Sequence, residues 1–81
     1  EVVRAANDTP YGLAASLWTR DLALTHATAA RLRAGTVWVN CHNMIDAAMP
    51  FGGFKQSGWG REMGPAALDA YLETQSVCAM L

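Results

Sequence analysis

Residues 13–40 read LAASLWTRDLALTHATAARLRAGTVWVN, and they contain a complete supersecondary unit. The unit opens on a short apolar run bounded by breakers, residues 13–19, which fits a buried strand. It closes on Thr36-Val37-Trp38-Val39-Asn40, a β-branched and aromatic run that suits a second strand. Between them, residues 22–33 hold no Gly or Pro. Ala23, Ala27, Ala30 and Ala34 recur at i, i+4, i+7 and i+11, one helix face. A face of methyl groups permits close approach to a sheet, with Leu22, Leu24 and Leu32 adding bulk at its flanks. Thr19 or Asp21 supplies the N-cap, and Gly35 is placed to stop the helix in a left-handed conformation. Strand, three-turn helix, strand is the spacing of a βαβ unit, which implies parallel strands and a right-handed crossover. The fold class is therefore α/β.

On the N-terminal side, Val2, Val3, Ala5 and Ala6 fit the last turns of a helix. Asn7-Asp8-Thr9-Pro10 ends it, because proline disfavours helical backbone at the residue before it. On the C-terminal side, residues 41–64 show neither period and hold five of the seven glycines together with Pro50. A stretch of that length without regular structure, inside a compact domain, is functional or misassigned. Pro65 suits the first position of a further helix over residues 65–72, and residues 76–81 read as a terminal strand. The chain starts inside a helical pattern and ends on five apolar residues that no charge or proline protects. Sheet edges are normally protected. The expectation is a piece of a longer chain whose last strand docks on something outside it.

Eighty-one residues make one small domain, and 52% apolar residues are enough to fold. Six Lys+Arg against seven Asp+Glu leave a net charge of -1. With no positive field, nucleic acid and polybasic membrane contacts are excluded. No apolar run approaches the ~18 residues of a membrane span. Two cysteines make no disulfide framework, and nothing at the N-terminus reads as a signal peptide, so reduced thiols and a cytoplasmic location are expected. The glycosylation triplet Asn7-Asp8-Thr9 is read as coincidence.

Several candidate chemistries fail on spacing. Cys41-His42-Asn43 names the residue types of a cysteine-hydrolase triad. Neighbours in sequence cannot converge on one point, and real triads assemble from distant segments. Cys41 and Cys78 read as small packing residues, His26 as solvated, and Trp18 and Trp38 as core. Two histidines and two cysteines without close pairing make no metal site. The string from Gly58 to Gly64 approaches a dinucleotide fingerprint, but its third glycine is one residue late and it follows a loop rather than a strand. Gly52-Gly53-Phe54-Lys55 misses the phosphate-loop spacing. A small nucleotide-binding domain is thus a poor reading. Lys55, Arg61 and Glu62 read either as loop anchors through local salt bridges or, for Glu62, as a buried carboxylate tuned for proton transfer.

Three motifs then stand in order: Asn7-Asp8-Thr9-Pro10-Tyr11-Gly12-Leu13-Ala14-Ala15, Ala34-Gly35-Thr36-Val37-Trp38-Val39-Asn40, and Pro50-Phe51-Gly52-Gly53-Phe54-Lys55-Gln56-Ser57-Gly58-Trp59-Gly60-Arg61-Glu62-Met63-Gly64. Together they resemble the C-terminal part of the NAD(P)-dependent aldehyde dehydrogenase superfamily. The likeness is greatest to the tetrameric branch that takes apolar and aromatic aldehydes such as phenylacetaldehyde. The resemblance implies covalent catalysis, in which a cysteine thiolate attacks the aldehyde, hydride leaves to the nicotinamide of NAD or NADP, and glutamate-activated water cleaves the thioester. In the family those two residues and the main cofactor-binding segments lie upstream. Cys41 is not at the nucleophile's position, no residue here is assigned to the cofactor, and the 81 residues alone are expected to be inactive.

The resemblance carries over secondary roles. Glu62 matches the far end of a charge relay that acts through a lysine on the upstream base. The carbonyls of Lys55 and Gly58 match positions that coordinate K+, a hard cation suited to oxygen ligands. Asn43, Ile45 and Phe51 match lining positions of the aldehyde tunnel, while Asp46 and Met49 fall in its variable part. The implied organisation is a partial catalytic-domain βαβ unit over residues 1–75 and an oligomerisation strand over residues 76–81 that builds a homo-oligomer, a homotetramer in that branch. The rival reading is a non-catalytic interaction module that docks onto a full aldehyde dehydrogenase subunit.

Overall fold

The computed structural model describes residues 1–81. Its elements are α1 (Val2–Asn7), β1 (Tyr11–Gly12), β2 (Ala14–Leu17), α2 (Leu22–Arg31), β3 (Thr36–Val39), β4 (Phe54–Lys55) and a 3₁₀ helix, Pro65–Tyr71. The βαβ unit forms as expected. β2 and β3 run parallel, in register from Ala14 opposite Thr36 to Leu17 opposite Val39. β1 and β4 make a second, antiparallel pair. Two residues per strand display no period, so the sequence carries no sign of that pair.

Both capping candidates act at the start of α2. Asp21 Oδ1 accepts from the Leu24 N–H at 3.0 Å, and Thr19 Oγ1 accepts from the Asp21 N–H at 3.1 Å. The stop differs from expectation. The helix ends at Arg31 with Leu32 extended as C-cap, and the left-handed glycines are Gly58 and Gly64, not Gly35. Asn7 holds this end instead: its Nδ2 donates to the Arg31 carbonyl at 2.9 Å and its Oδ1 accepts from the Arg33 N–H at 2.8 Å. Gly35 is required by space, since an added Cβ would overlap the Gly52 carbonyl oxygen.

The alanine stripe is a correction of orientation. Ala23, Ala27 and Ala30 are exposed, whereas Thr25, Thr28, Ala29 and Leu32 on the other side of α2 are half-buried. Methyl periodicity identified a helix but not the face that meets these two strands. Trp38 is the buried apolar side chain, 7% exposed. Trp18, expected in the core, is 66% exposed, because β2 has a neighbour strand on one side alone.

The C-terminal elements differ from expectation for one shared reason. Residues 65–71 wind as 3₁₀ rather than α, with Pro65 at the start as expected. Of these only Ala67 is even half-buried, so no packed face rewards α-helical geometry. Residues 76–81 form no strand, and Cys78, expected to pack, is exposed. A strand needs a partner ladder, and no other part of this chain provides one. No helix is long and apolar enough to cross a membrane.

Candidate functional site

The site is built outward from the end of β3. Asn40 takes a left-handed φ of 56°, a conformation asparagine tolerates better than most residues. Its side chain bonds Thr19 twice, with Oδ1 accepting from the Thr19 N–H at 2.9 Å and Nδ2 donating to the Thr19 carbonyl at 3.0 Å. Two residues on, His42 Nδ1 lies 2.7 Å from Ser16 Oγ on β2, and its ring meets Trp38 edge-on at 5.2 Å. Trp38 Nε1 donates to the Met44 carbonyl at 2.8 Å. A turn follows in which Asp46 Oδ1 accepts from the Ala48 N–H at 2.7 Å.

The loop then returns through Phe51, which exchanges two main-chain hydrogen bonds with Glu62, both 2.7 Å. The Gly64 N–H donates to the Ala47 carbonyl at 2.8 Å, pinning the start of the 3₁₀ helix to the same loop. Under this arch lies a hollow of about 20 Å³, lined by Thr36, Trp38, Met44, Ile45, Met49 and Phe51 among others. The Thr36 hydroxyl is buried without a hydrogen-bond partner.

The structure therefore brings Ile45 and Phe51 together on one apolar hollow and ties Glu62 to Phe51 through the main chain. Asn43 is exposed at φ 57° and does not line the hollow. Lys55 and Gly58 sit on a neighbouring turn, where the Gly58 N–H donates to the Lys55 carbonyl at 3.2 Å.

The salt-bridge reading of this region is corrected. Lys55 Nζ donates to the carbonyls of Asn7 at 2.8 Å and Thr9 at 3.1 Å. Arg61 Nη1 donates to those of Gly53 at 2.9 Å and Gly60 at 2.8 Å. The cations do anchor loops, but onto main-chain oxygens rather than carboxylates. Glu62, expected as a buried carboxylate, is exposed instead: its main chain pairs with Phe51, and nothing in this chain covers its side chain.

Two contacts were missed from sequence, Ser16 with His42 and Asn40 with Thr19. The available signal was a lone serine inside the apolar run of β2, and an asparagine closing β3.

The glycine-rich stretch forms no dinucleotide cradle. No α-helix follows it, and Gly64 leads into the 3₁₀ helix.

Comparison with known proteins places this geometry. Residues 1–77 match the aldehyde dehydrogenase family model. The Bacillus subtilis protein DhaS is 62% identical over 77 residues, 95% of this chain and 16% of its own length. Phenylacetaldehyde dehydrogenase of Pseudomonas fluorescens is 56% identical over 77 residues, 95% of this chain and 15% of its length. An NAD+ complex of an aldehyde dehydrogenase from Bacillus cereus superimposes with a TM-score of 0.89 at 54% identity, over 94% of this chain and 16% of that one. The chain belongs to the aldehyde dehydrogenase family. It spans about a sixth of the length of these relatives.

Proposed function

We propose that this chain is the part of an NAD(P)+-dependent aldehyde dehydrogenase that walls the aldehyde path, in an enzyme oxidising an apolar or aromatic aldehyde to its acid. The observation that supports the reading best is the apolar hollow on which Ile45 and Phe51 meet over Trp38. Such a wall orients a hydrophobic substrate and excludes water beside it. The 56% identity to a phenylacetaldehyde dehydrogenase agrees with that substrate class. Asn43, exposed on the same loop, takes its substrate-lining role in this reading together with segments outside this chain. Glu62, locked to Phe51 at main-chain level, is a positioning residue for proton transfer through groups outside this chain.

Lys55 and Gly58 lie on one turn with positive φ values of 54° and 111°, closed by the Gly58 N–H on the Lys55 carbonyl. They would give K+ two oxygen ligands of the hard type it prefers, the rest coming from water or other segments. Residues 76–81 are the docking strand of a homo-oligomer, a tetramer in this reading, and the enzyme is cytoplasmic.

The test uses the full-length enzyme that contains this segment. Ile45→Ala is expected to raise KM for phenylacetaldehyde several-fold while leaving kcat within about twofold, the pattern of lost uniform binding. Glu62→Gln is expected to slow thioester hydrolysis and alter the pH–rate profile. Replacing K+ by a bulky organic cation is expected to lower Tm. An unchanged KM in the first variant and an unchanged pH profile in the second reject the assigned roles.

The second reading, a non-catalytic module that docks onto a full subunit, draws support from how much apolar surface is exposed. The intact mass of the native gene product separates the two.

A further inference from the structure

We infer that Ser16 and His42 form a positioning pair: their hydrogen bond clasps the loop over residues 41–49 to strand β2 and thereby sets which aldehydes that loop admits. This rests on the function proposed above, because it assigns a role to the same wall.

No main-chain to main-chain hydrogen bond involves residues 41–45. A segment without such bonds takes its shape from side-chain tethers, and three are present. Asn40 is bonded twice to Thr19 just before the segment. The Met44 carbonyl is held by Trp38 Nε1 at 2.8 Å. Between these points, His42 Nδ1 meets Ser16 Oγ at 2.7 Å across 26 positions of sequence, with its ring against the edge or face of Trp38 at 68°.

The outer tethers reach β3 and the segment just after β2, while the central one reaches β2 itself. Ser16 is half-buried inside an otherwise apolar run. Its hydroxyl bonds His42, which is itself exposed, so the contact acts as a tether on the loop rather than as a satisfied core group. Asn43 and Ile45 interleave with the tethered residues and have no side-chain hydrogen bond of their own. Their placement depends on the clasp.

The experiment uses the full-length enzyme with Ser16→Ala, Ser16→Thr, His42→Phe and the double variant Ser16→Ala/His42→Phe. Two readouts are taken: KM and kcat for phenylacetaldehyde against a short aliphatic aldehyde, and amide hydrogen exchange across residues 41–45. Ser16→Ala is expected to raise KM for the aromatic aldehyde roughly fivefold, the size of one neutral hydrogen bond, with kcat within about twofold. His42→Phe, which keeps an aromatic ring on Trp38, should match it. The double variant should be no worse than either single one, because both remove one interaction. Ser16→Thr, which restores the hydroxyl, should recover KM, and exchange at residues 41–45 should quicken in Ser16→Ala and recover in Ser16→Thr.

Additive effects, or faster exchange with the aldehyde preference unchanged, overturn the proposal. If the wild-type enzyme turns over no aldehyde, the functional reading fails on its own account. Exchange still decides the clasp in that case, and unchanged rates in Ser16→Ala reject it.

Discussion

Arg61 packs the most interactions into one side chain. A single nitrogen, Nη1, donates to the carbonyls of Gly53 and Gly60, while the guanidinium carbon sits 5.8 Å from the centroid of Phe54. Arg33 approaches the same ring at 4.9 Å. Hydrogen bonds from a charged donor contribute more than neutral ones, and removing Arg61 leaves two carbonyls without this donor. Arg61→Ala is therefore expected to lower the stability of the full-length enzyme by about 2 kcal/mol. Arg33→Ala, which removes an exposed cation–π contact, should cost about 0.5–1 kcal/mol. Thermal unfolding of the two variants side by side checks the order; an Arg33 effect as large as that of Arg61 contradicts it. The acceptors were illegible in sequence for a physical reason. Composition shows which side chains carry charge, but every carbonyl is an acceptor, and which ones are left outside a ladder within reach of Arg61 is decided by folding rather than by a pattern.

At the scale of elements, legibility followed locality. The βαβ unit was readable because each part carries its own signal: an apolar run, a helical stretch free of breakers, a β-branched run. The β1–β4 pair was not, since Tyr11 and Lys55 are far apart in sequence and their strands are two residues long. The alanine stripe of α2 was visible as a stripe, but which side of a helix meets a sheet depends on the rest of the molecule. Glycines divide in the same way. Gly35 lies so close to Gly52 that an added Cβ would overlap a carbonyl oxygen, whereas an added Cβ on Gly60 would meet nothing within 4 Å. The βαβ unit and the glycine loop touch at that first pair, so Gly35→Ala must push the two apart. Its expected cost is about 4 kcal/mol or more, the range reserved for a named steric failure. Gly60→Ala should stay within about 0.5 kcal/mol. Soluble yield and Tm of the two full-length variants test this, and a soluble Gly35→Ala enzyme with native Tm would show that the contact relaxes at little cost.

At the scale of the whole molecule, the decisive quantity is surface. A compact chain of this length would expose about 4,700 Å², and this one exposes 6866 Å². Its radius of gyration is 17.4 Å, against roughly 12 Å for a compact domain of 81 residues. Three residues are buried, and large apolar side chains such as Trp59, Tyr71, Val77 and Met80 stand open. Ordering each residue costs on the order of 1–2 kcal/mol of conformational entropy, and burial is the main term that offsets it. With so little burial, the 81 residues on their own are expected to melt without a cooperative transition and to produce no aldehyde-dependent NADH. Circular dichroism on heating and a cofactor absorbance assay measure both. A sharp transition would mean that the isolated segment finds a tighter packing than the one described. The open C-terminal stretch extends the argument to assembly. If residues 76–81 complete a sheet in a neighbouring subunit, deleting them from the full-length enzyme should shift its light-scattering mass to smaller oligomers. An unchanged mass would mean that these apolar residues are covered within their own subunit, and the oligomer must then be held by another surface.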